Sequence, residues 1–437
     1  MDELILTKRR NRAYWFLIVA SFFLYLVLTC SKNLYSAESL TLANAFGGGA
    51  DDNEIRGSLA DTFQYYFYTY AVMQIALIFF MKRMNIKWFL TLTLGTSAIL
   101  TALVGFTTTV GQHYIIYIAN GFLQAGIWGC LLKMLGVYLP ARLLPRANQI
   151  MSAGPASAGA AAFGIAAAFG DNWRYPFIYL GALVLAAVIM YFFAVTYMSK
   201  FPKEDEMQRI VRADGTEEAV CSEDENDFIH LVSKKRVIGF YVISMVMGFL
   251  FTSLYFMINN NLSYYLSDIG GFTDTESKLL TIFAPICAVV GPFLTVASCE
   301  KHKNFILVCA SYFGTALVFA TLLLFFFDAN VVVSLILLVL FLVSVNGGRS
   351  VTLSIASLRM RRKIDTGVYS TAVNAISSVA SGIAPKIIAS ILDANNADRT
   401  HGWQISFIII FVWTLTVVLL LIGAALLVKF INRKKTT

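Results

Sequence analysis

Long apolar blocks are the feature of this sequence that most limits its fold. Most contain about 16 to 25 residues, and stretches such as 306–327 and 331–345 are nearly continuously apolar. About 20 residues of α-helix cross a hydrocarbon core about 30 Å thick. A membrane β-barrel would instead alternate apolar and polar residues over segments of about ten. The 437-residue chain, 58% hydrophobic and 14% charged, is therefore predicted to be an all-α membrane protein.

Twelve blocks qualify as transmembrane helices, and the only long polar segment divides them six and six. The predicted spans lie near residues 14–42, 61–80, 88–106, 114–139, 149–169, 176–198, 237–266, 279–299, 305–327, 331–358, 367–392 and 405–430. This arrangement predicts an N-terminal six-helix bundle (1–198), a cytoplasmic linker (199–235) and a C-terminal six-helix bundle (236–437).

The positions of the basic residues predict how the chain is oriented in the membrane. With the N-terminus inside, 26 of the 34 Lys and Arg residues fall in cytoplasmic segments, whereas only Arg56, Arg174, Lys278 and Arg399 fall outside. Cytoplasmic loops carry an excess of Lys and Arg. Both termini are therefore predicted to be cytoplasmic, and a bacterial inner (plasma) membrane is the simplest location. Orientation also accounts for the net charge of +8, so nucleic acid is not expected as a partner.

The two halves of the sequence contain matching residues at nearly constant spacing, which indicates an internal repeat. The matches are Trp173 with Trp403, Phe177 with Phe407 and Pro155 with Pro385, at an offset of 230, and residues 32–34 with 260–262, at an offset of 228. Duplicated, parallel six-span halves are typical of one transporter class. Two pseudo-symmetric bundles are therefore expected.

The chain resembles the major facilitator superfamily over essentially its whole length. Within it, the chain is similar to the organophosphate:phosphate antiporters, and the segments that carry this resemblance are residues 31–33, 128–159, 173–177 and 291–303. The resemblance implies that spans one, four, seven and ten line a central cavity. It also implies transport by alternating access, in which the two halves rock about a site near the membrane midplane.

The sequence departs from those antiporters at the residues that grip phosphate. In that family one arginine precedes the Lys-Asn pair of the first span, and a second lies in the seventh span. Here Ser31 and Tyr255 occupy the two places. The phosphate clamp is missing, which argues against a phosphorylated substrate.

Four basic residues, Lys32, Lys133, Arg349 and Lys386, fall inside predicted spans. A charge near the bilayer centre costs about 2.5 to 3.5 kcal/mol, so each is expected to face a water-filled cavity or a partner. No acidic residue falls deep in a span unless Glu38 is drawn in. Because an unbalanced positive cavity concentrates anions, the small-molecule substrate is predicted to be anionic.

Lys32 and Arg349 are the predicted charge anchors of the substrate site, with uncharged residues as polar contacts. The full predicted set is Lys32, Asn33, Gln74, Lys133, Tyr255, Asn259, Arg349 and Lys386. Two other interpretations stay open. Lysine and arginine side chains can extend to the lipid headgroups, and asparagines can form hydrogen bonds between helices.

The sequence thus predicts a secondary active or facilitative transporter of a small organic anion. All four histidines lie in or beside loops, so exchange or facilitated movement is favoured over proton symport. Alternatives are a transporter or exporter of neutral or drug-like solutes, and a non-transporting sensor that signals through the linker. The chain is expected to be a monomer in the lipid bilayer and not an enzyme, with no cofactor and no metal site.

Overall fold

Helices form the regular structure of the described part of the chain. A computed structural model describes residues 2–47, 52–81, 83–140, 142–201, 234–302, 305–355 and 366–433. In chain order its α-helices are α1 (Asp2–Ala37), α2 (Ser39–Gly47), α3 (Asp52–Phe80), α4 (Ile86–Val104), α5 (Val110–Gln124), α6 (Ile127–Tyr138), α7 (Leu144–Phe169), α8 (Arg174–Met198), α9 (Lys234–Asn259), α10 (Leu262–Asp268), α11 (Asp274–Thr281), α12 (Phe283–Ala288), α13 (Val290–Lys301), α14 (Phe305–Phe326), α15 (Val331–Ser350), α16 (Thr366–Ala394) and α17 (Arg399–Arg433). A short π-helix, Val351–Ile355, continues α15. The central part of the predicted linker, 202–233, lies outside the described residues.

Polar residues beside the apolar blocks set where several helices begin. Asn330 accepts hydrogen bonds from the backbone N–H groups of Val332 (2.9 Å) and Val333 (3.2 Å) at the start of α15. Thr273 and Glu276 form a reciprocal capping box at the start of α11. Such side chains satisfy N–H groups that have no partner within the helix.

The helices agree with the predicted number of spans. Within the described residues, eleven helical segments are long and apolar enough to cross a membrane, one at each predicted position except the second. The second position is occupied by the 29-residue helix α3, which is long enough to span. Its four tyrosines and two glutamines lower its mean hydropathy. Many of these polar groups lie in the protein interior.

The two halves, α1–α8 and α9–α17, contact each other along close helix pairs. A Cβ at Gly382 of α16 would lie 3.1 Å from the backbone oxygen of Gln64 in α3. A Cβ at Gly159 of α7 would lie 3.2 Å from the Cβ of Pro285 in α12. A third contact joins Gly129 of α6 to α16. The N-terminal and C-terminal halves are therefore closely packed on each other.

The repeated tryptophans lie near the start of the last helix of each half. The Trp173 ring lies 6.4 Å from the ring of Phe177, and the Trp403 ring lies 6.1 Å from that of Phe407. Each tryptophan therefore packs on the aromatic ring four residues later. This shared local arrangement is the one expected of a duplicated unit.

Candidate substrate-binding site

Lys32 lies on the part of α1 that continues beyond the apolar block. Its carbonyl accepts a hydrogen bond from the Tyr117 hydroxyl at 2.6 Å. Its ammonium lies 5.3 Å from the ring centroid of Phe67 and 5.7 Å from that of Tyr70, both on α3. Aromatic faces attract cations at such distances. Lys32 forms no ion pair with any described residue.

Arg349 lies near the end of α15 and has a similar environment in the C-terminal half. Its guanidinium carbon lies 5.0 Å from the ring centroid of Tyr255 and 5.8 Å from that of Phe256. Nη1 donates a long hydrogen bond of 3.5 Å to Asn346, and Nε has no partner among the described residues. Asn346 is itself held by a 2.9 Å bond to the Ala288 carbonyl, so it positions the arginine.

The two cationic sites meet at a pair of aromatic rings. The rings of Phe67 and Phe256 contact edge to face, with centroids 5.8 Å apart. Both rings are buried, whereas Lys32 and Arg349 are partly exposed. We call this set the cation–aromatic cluster, and its members are Lys32, Phe67, Tyr70, Tyr255, Phe256 and Arg349. It joins both halves and carries two positive charges.

Two predicted polar contacts lie on the same helix faces as members of the cluster. Gln74 follows Tyr70 by four residues on α3, and Asn259 follows Tyr255 by four on α9. Both side chains are buried, and Gln74 Oε1 and Asn259 Oδ1 have no hydrogen-bond partner among the described residues. Each is therefore suited to accept a hydrogen bond from a ligand.

Asn33 and Ser31 flank Lys32 but lie in different surroundings. A Cβ at Gly159 would lie 3.7 Å from Asn33 Nδ2, which places Asn33 at the contact between α1 and α7. Ser31 is buried, donates to the Leu28 carbonyl at 2.8 Å and accepts a 3.4 Å bond from Gln124. The position at which the antiporter family has its first arginine is therefore committed to an internal network of the N-terminal half.

Lys133 lies apart from the cation–aromatic cluster. Its ammonium donates a 2.8 Å hydrogen bond to the carbonyl of Met81, immediately after the end of α3. A cation favours the carbonyl end of a helix because unpaired carbonyls and the helix dipole are negative there. This contact gives Lys133 a structural role, and its part in substrate binding stays a prediction.

Two ion pairs between the halves contain acidic residues: Glu38, the exception that the sequence left open, and Asp61, which was expected at the outer edge of its span. Glu38 and Lys278 pair at 3.1 Å, and their side chains are 0% and 1% exposed. Asp61 pairs with Lys386, and both side chains are 40% exposed. The sequence did not indicate these pairs because the partners are more than 200 residues apart. Glu38 lies in the turn between α1 and α2, and Lys278 lies on α11, so the pair joins the two halves inside the protein.

A pocket lies between the halves, beside the Asp61–Lys386 pair. We call this the outer pocket, because the positive-inside pattern predicts this side to face outward. Its polar and charged lining residues include Ser36, Ser39, Asn260, Asn261, Lys386 and Arg399. Phe63 forms part of its wall and lies 4.9 Å from Phe67, ring centroid to ring centroid. Phe63 therefore separates the outer pocket from the cation–aromatic cluster.

The position of His113 agrees with the sequence, but its surroundings were not predicted. His113 lies beside a loop, as predicted, but its side chain is completely buried. Rings of Tyr35, Phe46, Tyr117, Trp173 and Phe177 surround it, and its Nδ1 lies 3.3 Å from the Thr107 hydroxyl. Burial of His113 results from the packing of α1, α5 and α8, which its neighbours in the sequence do not indicate.

Comparison with known proteins identifies the family of this bundle. The family model of the Major Facilitator Superfamily matches residues 17–385. The chain belongs to the major facilitator superfamily. This membership makes the protein an integral membrane transporter, and members bind small-molecule substrates within the membrane. No curated protein sequence matches the chain significantly.

Solved structures of superfamily members have the same overall fold. A bacterial homologue of the human lysosomal transporter Spinster is 14% identical, with a TM-score of 0.63 over 93% of this chain and 96% of that chain. The xylose transporter XylE from E. coli is 12% identical, with a TM-score of 0.64 over 93% and 97%. The nucleoside transporter NupG is 12% identical, with a TM-score of 0.57 over 94% and 99%. At these identities the likeness shows the fold alone, and the resemblance to organophosphate antiporters stays a prediction.

Proposed function

We propose that this superfamily member transports a small organic anion through the cation–aromatic cluster. The observation that carries the proposal is the pair Lys32 and Arg349. Each lies over aromatic rings, and neither is neutralised by a carboxylate of the described residues. Two positive charges in a low-dielectric site attract an anion. Gln74 and Asn259 supply acceptors for hydroxyl or N–H groups of the ligand, and Asn33 lies close by.

Alternating access gives this site a route to both sides of the membrane. In the proposed cycle the bundles 1–198 and 236–437 rock about the cation–aromatic cluster. The outer pocket is the entrance on one side, and Phe63 with Phe67 closes it from the cluster. The pairs Asp61–Lys386 and Glu38–Lys278 hold that side together in the conformation described.

The remaining parts of the proposal follow from the sequence. We place the protein as a monomer in a bacterial inner membrane, with both termini in the cytoplasm. Exchange or facilitated movement fits a cluster whose described members are cationic and aromatic. None of the six members of the cluster is a carboxylate or a histidine, the side chains that commonly relay protons in coupled transporters.

Ligand-induced stabilisation of the purified full-length chain tests the proposal. The panel contains carboxylates, phosphate esters, sugars and amino acids. A ligand at 100 times its dissociation constant stabilises the folded state by about 2.7 kcal/mol, which is readily detected. We expect carboxylates to raise the Tm and Arg349→Gln to abolish the rise. The best ligand then serves as substrate for uptake into proteoliposomes.

Lys87→Gln is the matched control for the loss of one cation. Lys87 also lies over aromatic rings, and its ammonium is 4.1 Å from the ring centroid of Phe192. It lies at the periphery of the N-terminal bundle. This variant should bind and transport the anion as the wild type does. Stabilisation by neutral compounds alone would contradict the proposal and support a transporter of neutral solutes.

A further inference from the structure

The two cations of the cluster belong to different halves and have separate aromatic surroundings. Lys32 lies over Phe67 and Tyr70 of the N-terminal half, and Arg349 over Tyr255 and Phe256 of the C-terminal half. The two like charges nevertheless lie over Phe67 and Phe256, the rings that contact each other between the halves. Each cation is therefore held by its own half while it repels the other.

The surface between the two charges is apolar. Phe67 and Phe256 meet there edge to face, and neither ring can donate or accept a conventional hydrogen bond. A ligand segment that lies along this pair gains most if it is itself apolar or aromatic. Polar groups of the ligand are better placed at its two ends.

Charge balance distinguishes ligands with one anionic group from those with two. A monoanion neutralises one cation and leaves the other in a partly buried, low-dielectric site. A ligand with an anionic group at each end neutralises both cations and removes their mutual repulsion. It also connects the N-terminal half to the C-terminal half.

We propose, on the basis of the anion transport proposed above, that the substrate is an organic dianion whose two carboxylates are separated by an apolar or aromatic body. One carboxylate binds Lys32 and the other binds Arg349, and the body lies against Phe67 and Phe256. Lys32 and Arg349 thus determine specificity as a pair. A compact doubly charged group, such as a phosphate monoester, does not fit two charges that are separated by aromatic rings.

Matched ligand pairs test this inference on the full-length protein. Dissociation constants are measured by titration for adipate against hexanoate and for terephthalate against benzoate, with phenyl phosphate as a compact dianion. We expect each dicarboxylate to bind about ten- to a hundredfold more tightly than its monocarboxylate, the range that one charge-assisted hydrogen bond provides. Lys32→Gln and Arg349→Gln should each bring the two members of a pair to similar affinity.

Charge-conserving variants keep the experiment informative if the glutamine variants fold poorly. Lys32→Arg and Arg349→Lys retain both positive charges, so the preference for dicarboxylates should persist even where overall affinity falls. Lys87→Gln should leave the preference unchanged.

The possible results separate this inference from the proposed function. Equal binding of mono- and dicarboxylates by the wild type would overturn the inference and leave anion transport standing. Tightest binding of phenyl phosphate, lost in both glutamine variants, would also overturn it in favour of a single-group clamp. Binding of neutral compounds alone would overturn both.

Discussion

Phe67 of the N-terminal half and Phe256 of the C-terminal half contact edge to face, and each lies beneath a cation. In the proposed alternating-access cycle, the two charges belong to the two halves that move against each other. Movement of the halves therefore changes the spacing of the charges. A ligand bound to both cations favours the conformation in which their spacing suits it, because a ligand shifts an equilibrium by its differential affinity.

Arg349→Lys should weaken anion binding although it preserves the positive charge. Lysine has neither the planar group that stacks on Tyr255 and Phe256 nor the geometry for the bond to Asn346. A cation–aromatic contact is worth about 0.5 to 2 kcal/mol, so affinity should fall between about twofold and thirtyfold. The measurement is the Kd of the most stabilising carboxylate.

Asn346→Ala is the companion to that variant. It leaves Arg349 intact but removes its positioning hydrogen bond, so it should reproduce part of the loss in affinity. Wild-type affinity in both variants would show that charge alone determines binding at this position.

Glu38→Gln should destabilise the protein far more than Asp61→Asn. Both changes remove the acid of an ion pair between the halves. Lys278 is almost completely buried, and loss of one partner of a buried pair costs about 3 to 5 kcal/mol. Lys386 is 40% exposed, and an exposed pair contributes about 0.2 to 1 kcal/mol.

Apparent Tm in detergent at a fixed heating rate measures this difference. Replacing both partners of the buried pair, as in Glu38→Leu with Lys278→Met, should recover most of the loss because no unpaired charge is then buried. Similar Tm values for the two single variants would contradict the burial argument.

Lys133→Met should lower stability without altering recognition of the anion. The variant removes the charge-assisted bond to the Met81 carbonyl at the end of α3. Such bonds contribute about 1.5 to 3 kcal/mol. The Tm should therefore decrease while the Kd for carboxylates stays at the wild-type value. A loss of affinity as large as that of Lys32→Gln would instead place Lys133 in the substrate site.

The sequence was sufficient to locate the spans and to place Lys32 and Arg349 within them. Both follow from local information, since span length depends on bilayer thickness and a charge in an apolar block is costly. Asn346 could also have been found, because it lies three residues before Arg349 and on the same helix face.

The partners of these residues could not be found in the same way. Phe67 and Phe256 are two of 35 phenylalanines, and only the contact of their rings between the halves distinguishes them. The pairing of Lys386 with Asp61 joins residues 325 positions apart. Both depend on which helix faces meet between the halves, and hydropathy carries no information about that choice.

Gly129→Ala should shift the protein away from the conformation described here. A Cβ at Gly129 of α6 would lie 1.9 Å from the Thr371 hydroxyl of α16, which is far too close. Overpacking of this kind costs about 1 to 3 kcal/mol. Because α6 and α16 belong to different halves, the cost applies while they are in contact and disappears when they separate. The Tm should decrease, and the transport rate should change with it.

Two further variants distinguish this effect from ordinary damage to α6. Gly136→Ala lies on the same helix, where a new Cβ has no neighbour within 4 Å, so it should match the wild type. Thr371→Ala removes the hydroxyl that the new methyl group would meet first, so it should restore part of the Tm that Gly129→Ala loses. The Gly367 carbonyl oxygen of α16 and Met81 Cε would still lie 3.2 Å from the new Cβ. If the double variant is no more stable than Gly129→Ala alone, the strain does not arise at the Thr371 hydroxyl.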